Sequence, residues 1–207
     1  MIVQAGSRMA GWVLRTIRRR EKGLMLTLLR SLIQPRLDYC SQLWPPRDQT
    51  SITRLEAVHR QFFFQIRKSY LYDKKLSLLR TYSQERRREH YQICFLWKLS
   101  RGLIDGYSIT WQWSDRRGRY CVPHTIPTSA PAKVRRARES TLGVHGARLF
   151  NILPSHLRNE NSGDFALFKN HLDIFLSSVP DQPTTPGLSR AAASNSLLDQ
   201  VPLCFLD

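Results

Sequence analysis

The chain has 207 residues, 42% of them hydrophobic, which suffices for one ordinary core with an appendage. Its 32 Lys and Arg against 16 Asp and Glu give a formal charge of +16, which points to an anionic partner, nucleic acid first and an acidic membrane surface second. No uninterrupted apolar run could span a bilayer, no apolar leader with a cleavage site opens the sequence, and the cysteines (Cys40, Cys94, Cys121, Cys204) lie far apart without a C-x-x-C pair, so a reducing intracellular compartment, nucleus or cytoplasm, is expected.

Charge is uneven along the chain. Residues 1–101 hold 21 basic and 7 acidic side chains, whereas 102–207 hold 11 and 9. Electrostatic work is therefore expected of the first half. Residues 4–19 read as an amphipathic helix with Met9, Trp12, Val13, Leu14 and Ile17 on its apolar side and Arg15, Arg18, Arg19 and Arg20 at its end, where cations suit the helix dipole. After Gly23 an apolar helix over 24–33 leads into residues 32–44 (LIQPRLDYCSQLW), the stretch around which the rest is expected to pack. Pro35 should bend that helix, and Leu37, Tyr39, Leu43 and Trp44 should meet neighbours on several sides.

Thr50 and Ser51 offer a cap for the next helix, whose face carries Ile52, Leu55, Val58, His59 and Phe62; the run Phe62, Phe63, Phe64 predicts burial all round its end. Arg60 lies on this helix, with Arg67 and Lys68 just beyond it. Asp73 can cap a short helix bearing Leu76, Leu78 and Leu79. Ser83 caps a helix from Gln84 to about Leu99 whose second half, YQICFLW, should be central core. Arg86, Arg87 and Arg88 crowd its first turn, where the positive helix end disfavours cations. A free anion would relieve that clash; Glu85 and Glu89 can offset any one of these arginines in water, but the cluster as a whole is expected to face phosphate.

Gly102 and Gly106 close the helical region. Trp111, Trp113, Tyr120 and Val122 alternate with polar residues around Asp115 to Gly118, as in a short β-hairpin. Residues 128–138 (TSAPAKVRRAR) read as a basic linker and a second phosphate contact, 140–144 as a brief strand, and 146–153 as one or two helical turns stopped by Pro154. Asp164 caps a last helix with Phe165, Phe168, Leu172, Phe175 and Leu176 on one face. The remainder reads as a loosely attached tail. The fold class is mainly α: a basic helical bundle (1–101), a small irregular segment with a hairpin and basic linker (102–138), a C-terminal α segment (139–179) and a flexible tail (180–207).

Catalytic signatures are missing from the sequence. There is no phosphate-binding G-x-x-x-x-G-K-[ST] loop and no G-x-S-x-G elbow. Cys121-x-x-His124 has ligand-like spacing but no second pair follows, so neither metal nor cofactor is expected. His59 and His90 fit helix surfaces, and His145, His156 and His171 share no acid.

The segments LIQPRLDYCSQLW (32–44), ITRLEAVHRQFFFQI (52–66), YSQERRREHYQ (82–92) with FLWKL after it, GRYCVP (118–123), TLGVHGARLFNILPSHLRN (141–159), FALFKNHLDIFLSSVPDQP (165–183) and SNSLLDQV (194–201) together resemble, in the same order, the region after the reverse-transcriptase palm in jockey-like non-LTR retrotransposon proteins. The resemblance covers nearly the whole chain. It implies a thumb that grips a primer–template duplex, followed by a C-terminal extension, and it implies RNA or an RNA–DNA hybrid as partner. The family's palm carries an aromatic-Ala-Asp-Asp turn for metal-assisted nucleotidyl transfer, and no Asp-Asp pair occurs in this chain. The expectation is thus a non-catalytic fragment that touches phosphates through Arg15, Arg18, Arg19, Arg20, Arg60, Arg67, Lys68, Arg86, Arg87 and Arg88. The alternative is a structural or protein-interaction remnant, or the product of a decayed element, whose apolar faces over 4–19 and 24–33 dock on a palm domain or on another copy of itself.

Overall fold

The computed structural model describes residues 2–42, 46, 48–66, 71–105, 112–114, 119–121, 131–158, 163–183 and 195–204. The fold is mainly α. Its helices group into two compact units. The first combines Met1–Ser41, Pro46–Arg88 and Asp181–Asn195; the second combines Gln42–Pro45, Glu89–Pro180 and Ser196–Asp207. The sequence-based boundaries at 101 and 138 fall inside the second unit and that at 179 lies one residue from its edge at Pro180, while one helix contributes its first turn to the first unit and its remainder to the second.

The first unit opens with α1 (Ile2–Thr16) and α2 (Lys22–Leu28), and α2 runs without a break through a π-helical turn (Leu29–Ile33) into α3 (Gln34–Asp38). Pro35 explains the π-turn. Proline has no N–H to donate and its ring crowds the carbonyl four residues back. Here the ladder widens one residue ahead of it: the Gln34 N–H reaches the Leu29 carbonyl, five residues back. The expected bend is therefore absorbed as an extra residue in one turn. Leu37 is fully buried, but Tyr39 is 68% exposed: the helix ends at Asp38, Tyr39 already has non-helical backbone (ψ 121°), and Cys40 follows with φ 50°. Leu43 and Trp44 lie outside the described residues.

Three helices pack around Leu37. Gly6 of α1 lies so close that an added Cβ would stand 2.6 Å from Leu37 Cδ2 and 3.7 Å from Val58 Cγ1 of α4 (Gln49–Ile66). Ala10, Val13, Met25, Leu29, Ile33, Leu55, Val58, Phe62, Phe63 and Leu76 fill the core around this contact. Trp12, expected on the apolar side of α1, is 52% exposed; Phe64, expected to be buried, is 51% exposed with Lys75 Nζ 5.3 Å from its ring centroid. The α4 cap is Asp48, whose Oδ2 accepts from the Ser51 N–H at 2.7 Å, in place of Thr50 or Ser51.

Helix α5 (Tyr72–Leu78) and helix α6 (Gln84–Ser100) end alike. Thr81 N–H bonds the Leu76 carbonyl and Arg80 N–H that of Ser77; Leu103 N–H bonds the Lys98 carbonyl and Gly102 N–H that of Leu99. Both are left-handed closures, with φ 66° at Gly102 and φ 48° at Arg80.

In the second unit, Ile93, Leu96 and Trp97 of α6 are fully buried. Strands β1 (Gln112–Ser114) and β2 (Arg119–Cys121) pair antiparallel, with Trp113 opposite Tyr120. The expected hairpin is described only as this three-pair ladder; its turn lies outside the described residues. The stretch read as a basic linker is helical as α7 (Ala132–Glu139), and the stretch read as a strand is a π-helical turn (Leu142–Gly146) leading into α8 (Ala147–Asn151). Leu142 and Val144 fall within that turn and are buried, so apolar alternation there marked a helical inner face. After α9 (Ser155–Arg158), the Asp164 carboxylate caps α10 (Phe165–Ser178) through the Ala166 N–H at 2.8 Å. Trp97 stacks on Phe168 with centroids 4.9 Å apart.

The described parts of the tail are fixed, against expectation. Within the second unit, Glu89 accepts from the Ser196 hydroxyl (2.6 Å) and the Leu197 N–H (3.0 Å) at the start of α11 (Leu197–Cys204), and Leu197 is fully buried. Within the first, Asn195 is 1% exposed and donates to Ser83 Oγ (3.1 Å) and Asp181 Oδ1 (2.8 Å).

Gly6→Ala is expected to lower stability by about 1–3 kcal/mol, since the added methyl would force the fully buried Leu37 side chain to shift. Gly11→Ala, whose added Cβ meets nothing within 4 Å, is expected to raise it by about 0.5–1 kcal/mol through helix propensity. Denaturant midpoints of the two variants, moving in opposite directions, check the packing of α1.

Candidate nucleic-acid interface

The positive end of α6 is built into the first unit. Glu56, on α4 and only 2% exposed, accepts the Gln84 N–H at 2.8 Å through one oxygen and takes a short hydrogen bond from the Tyr72 hydroxyl through the other. His59 Nδ1 lies 2.7 Å from the same hydroxyl. Burial, with the Glu56 charge second, holds the Tyr72 phenol well above its ordinary range, so it remains a donor. Ser83 Oγ accepts the Arg86 N–H at 3.2 Å, as its capping role requires, and Asp181 Oδ2 accepts the Ser83 N–H at 2.8 Å.

This arrangement decides what the three arginines of the first turn do. Arg86 is fully buried and Arg88 is 2% exposed. Arg88 Nη2 donates to the Leu37 carbonyl at 2.7 Å, in the last turn of α3, where a cation suits the helix's negative end. Desolvation lowers its pKa to about 10, partly countered by Asp38, so it stays charged at neutral pH. Arg87 is half-buried and donates through Nε (3.0 Å) and Nη2 (2.9 Å) to Asp38 Oδ2. The cluster read as phosphate-facing thus lies against the protein's own acceptors. The anion called for at this helix end is supplied by Glu56, and Asp38 and Asp181 add their carboxylates around it.

The other expected contacts divide further. Arg20, past the end of α1, is half-buried and its Nη2 donates back to the Leu14 carbonyl in the last turn of that helix at 2.6 Å. Arg60 is half-buried, its guanidinium carbon 5.9 Å from the Tyr72 ring centroid. Arg67 and Lys68 lie outside the described residues. Arg15, Arg18 and Arg19 are exposed, as are Arg8, Lys22, Arg30 and Arg36, which the sequence reasoning did not single out. Among the described residues of 2–42, these seven exposed cations face one exposed carboxylate, Glu21.

His59 and His90, read as surface histidines, are 1% and 5% exposed. In the second unit, Cys94 Sγ (3.8 Å) and Asp173 Oδ1 (3.2 Å) both approach His90 Nε2. The geometry does not activate the thiol: burial first and the Asp173 charge second push it up to about 12. His124 lies outside the described residues, and no cluster of three His, Cys, Asp or Glu suited to a metal occurs among those described. No described helix is long and apolar enough to cross a membrane. Comparison with protein-family models, curated proteins and solved structures finds no match to this chain.

Glu56 and Arg88 matter most here, and only the first left a trace in the sequence. Glu56 sits one turn before His59 on a mostly apolar helix face, an unusual place for a carboxylate unless it is paired. Arg88→Met, which keeps the volume but removes the donor to Leu37, is expected to cost about 1.5–3 kcal/mol. Arg15→Gln should stay within about 0.5 kcal/mol of the parent; urea melts distinguish the two.

In the second unit His145 Nδ1 lies 2.9 Å from Gln92 Oε1, and Gln92 Nε2 donates to the Gln42 carbonyl at 3.2 Å, which fixes the amide so that Nδ1 carries the proton. Burial, with Arg148 second, lowers the His145 pKa. The unfolded chain therefore takes up a proton at higher pH than the folded one. Stability should fall as pH drops below about 6.5, the ordinary histidine value. Denaturant midpoints measured across this range in the parent and in His145→Gln should show a shallower fall in the variant.

Proposed function

We propose that this chain is a non-catalytic module that grips the phosphate backbone of RNA or an RNA–DNA hybrid, like the post-palm region it resembles. The observation that supports this most is the exposed excess of cations on α1 and the segment after it: Arg8, Arg15, Arg18, Arg19 and Lys22 beside Glu21 alone. Exposed guanidinium groups without internal acceptors keep their donors for phosphate oxygens, and such contacts give affinity without sequence readout. The proposed surface is smaller than the sequence suggested, since Arg86, Arg87 and Arg88 are committed inside the protein.

The docking alternative is left with little surface. Ala10, Val13, Met25, Leu29 and Ile33 are buried in the chain's own core, which leaves Trp12 and Leu24 as the large apolar side chains exposed on α1 and α2.

Fluorescence anisotropy with an RNA duplex and an RNA–DNA hybrid, titrated with salt, tests the proposal. Affinity should fall steeply as salt rises. The triple variant R15Q/R18Q/R19Q should lose about 2–3 from the magnitude of the log–log slope, at roughly 0.9 per phosphate released, with an unchanged melting temperature. Binding that is no tighter at low salt, or a slope untouched by the triple variant, would count against it.

A further inference from the structure

We infer that Trp12 is a stacking platform for an unpaired nucleobase, so that the module prefers single-stranded over fully duplexed nucleic acid; the inference rests on the backbone-binding reading above. Trp12 is 52% exposed in the middle of a helix that buries Gly6, Ala10 and Val13 against its own core. A half-exposed indole gives up apolar area that the core could have taken, and one such residue alone would mean little. Its surroundings give it meaning.

Arg8 is four residues before Trp12 and Arg15 three after it, so all three lie on one face of α1, about one turn apart. Both arginines are exposed. Neither a ring nor a cation packs on Trp12 among the described residues. By contrast, Trp97 is fully buried and stacked on Phe168. An open indole between two cations, spaced by one helical turn on either side, matches a strand's own alternation of flat base and charged phosphate. Stacking is tolerant of base identity because every base has a π-face. A blunt duplex keeps its bases stacked on one another and offers the indole no face except at its ends.

Charge complementarity selects this occupant. A surface that presents Arg8 and Arg15 beside the indole, with Arg18 and Arg19 just past the end of α1, repels a basic partner. An acidic bilayer would accept the cations, yet with Val13 and Met25 fully buried the large apolar side chains exposed on α1 and α2 are Trp12 and Leu24, too few for an apolar face that could enter the acyl region.

The test compares parent, Trp12→Ala and Trp12→Phe on three probes at low salt: oligoadenylate, a blunt RNA duplex of equal length, and acidic phospholipid vesicles. Circular dichroism and melting temperature check that the variants fold, which a half-exposed position permits. Trp12→Ala should bind oligoadenylate roughly 5- to 150-fold more weakly, the range for loss of one base–aromatic stack, while duplex affinity stays within about twofold. Trp12→Phe should recover most of the loss, and 2-aminopurine in the strand should be quenched by the parent but not by Trp12→Ala. Equal losses on strand and duplex, no loss on the strand, or a loss confined to vesicles would each overturn the inference while leaving salt-dependent backbone binding intact. If the parent binds neither nucleic acid in a salt-dependent way, the backbone reading itself falls.

Discussion

The first unit depends on a carboxylate inside it. Glu56 is taken from water and must be repaid in hydrogen bonds, since an unpaired buried charge costs several kcal/mol. Tyr72 and the first amide of α6 provide them. Three consequences follow from that one position. Helix α5 is tied to α4 through the phenol. The start of α6 is placed beside α4. The positive helix end then meets a negative charge of the same chain. Arg88, from the same turn, does the complementary task at the end of α3 by donating to the Leu37 carbonyl. The helices of this unit thus meet through apolar packing around Leu37 and Gly6, and through their termini, each end satisfied by a side chain of opposite character.

Much of the helical layout could be read from spacing. The faces of 52–62 and 165–176 and the caps at Ser83 and Asp164 all emerge from the 3.6-residue period and cap chemistry, because these are local properties. What could not be read is long-range. A run of three arginines looks the same in sequence whether it faces solvent or faces carboxylates placed 30 to 90 residues away. With the positive helix end behind them and a strongly basic half around them, Arg86 to Arg88 read as outward-facing even with Glu85 and Glu89 on either side. Asp38 and the Leu37 carbonyl, about 50 residues back, receive Arg87 and Arg88 only once the chain has folded. The tail was underestimated for the same reason: Asn195, Ser196 and Leu197 find acceptors on residues far back in the sequence.

The candidate surface shows the opposite bias. Arg15, Arg18 and Arg19 stand out by their charge and are exposed, whereas Trp12, beside Val13 and Leu14, reads as part of the apolar side of its helix and is exposed as well. Hydrophobicity alone cannot distinguish an indole that packs from one that waits. The helical phase can: Gly6, Ala10 and Val13 define the inward stripe, and Trp12 sits about 100° away from Val13. Small residues, not large ones, mark the buried side of α1, because Leu37 approaches its backbone.

The π-turn before Pro35 has a consequence for how such a chain can drift. One additional residue is held in the ladder between Leu28 and Gln34, and each residue of an ordinary α-turn advances the direction of side chains by about 100°. Substitutions in this stretch leave that phase alone. Loss of a single residue inside the π-turn would close the ladder to an ordinary α-turn and leave the side chains downstream in their present phase, with Leu37 still directed at Gly6. The same loss elsewhere in the helix has no surplus residue to draw on and would swing Leu37 by about 100° off Gly6, so the π-turn is where this helix can change length and keep its packing.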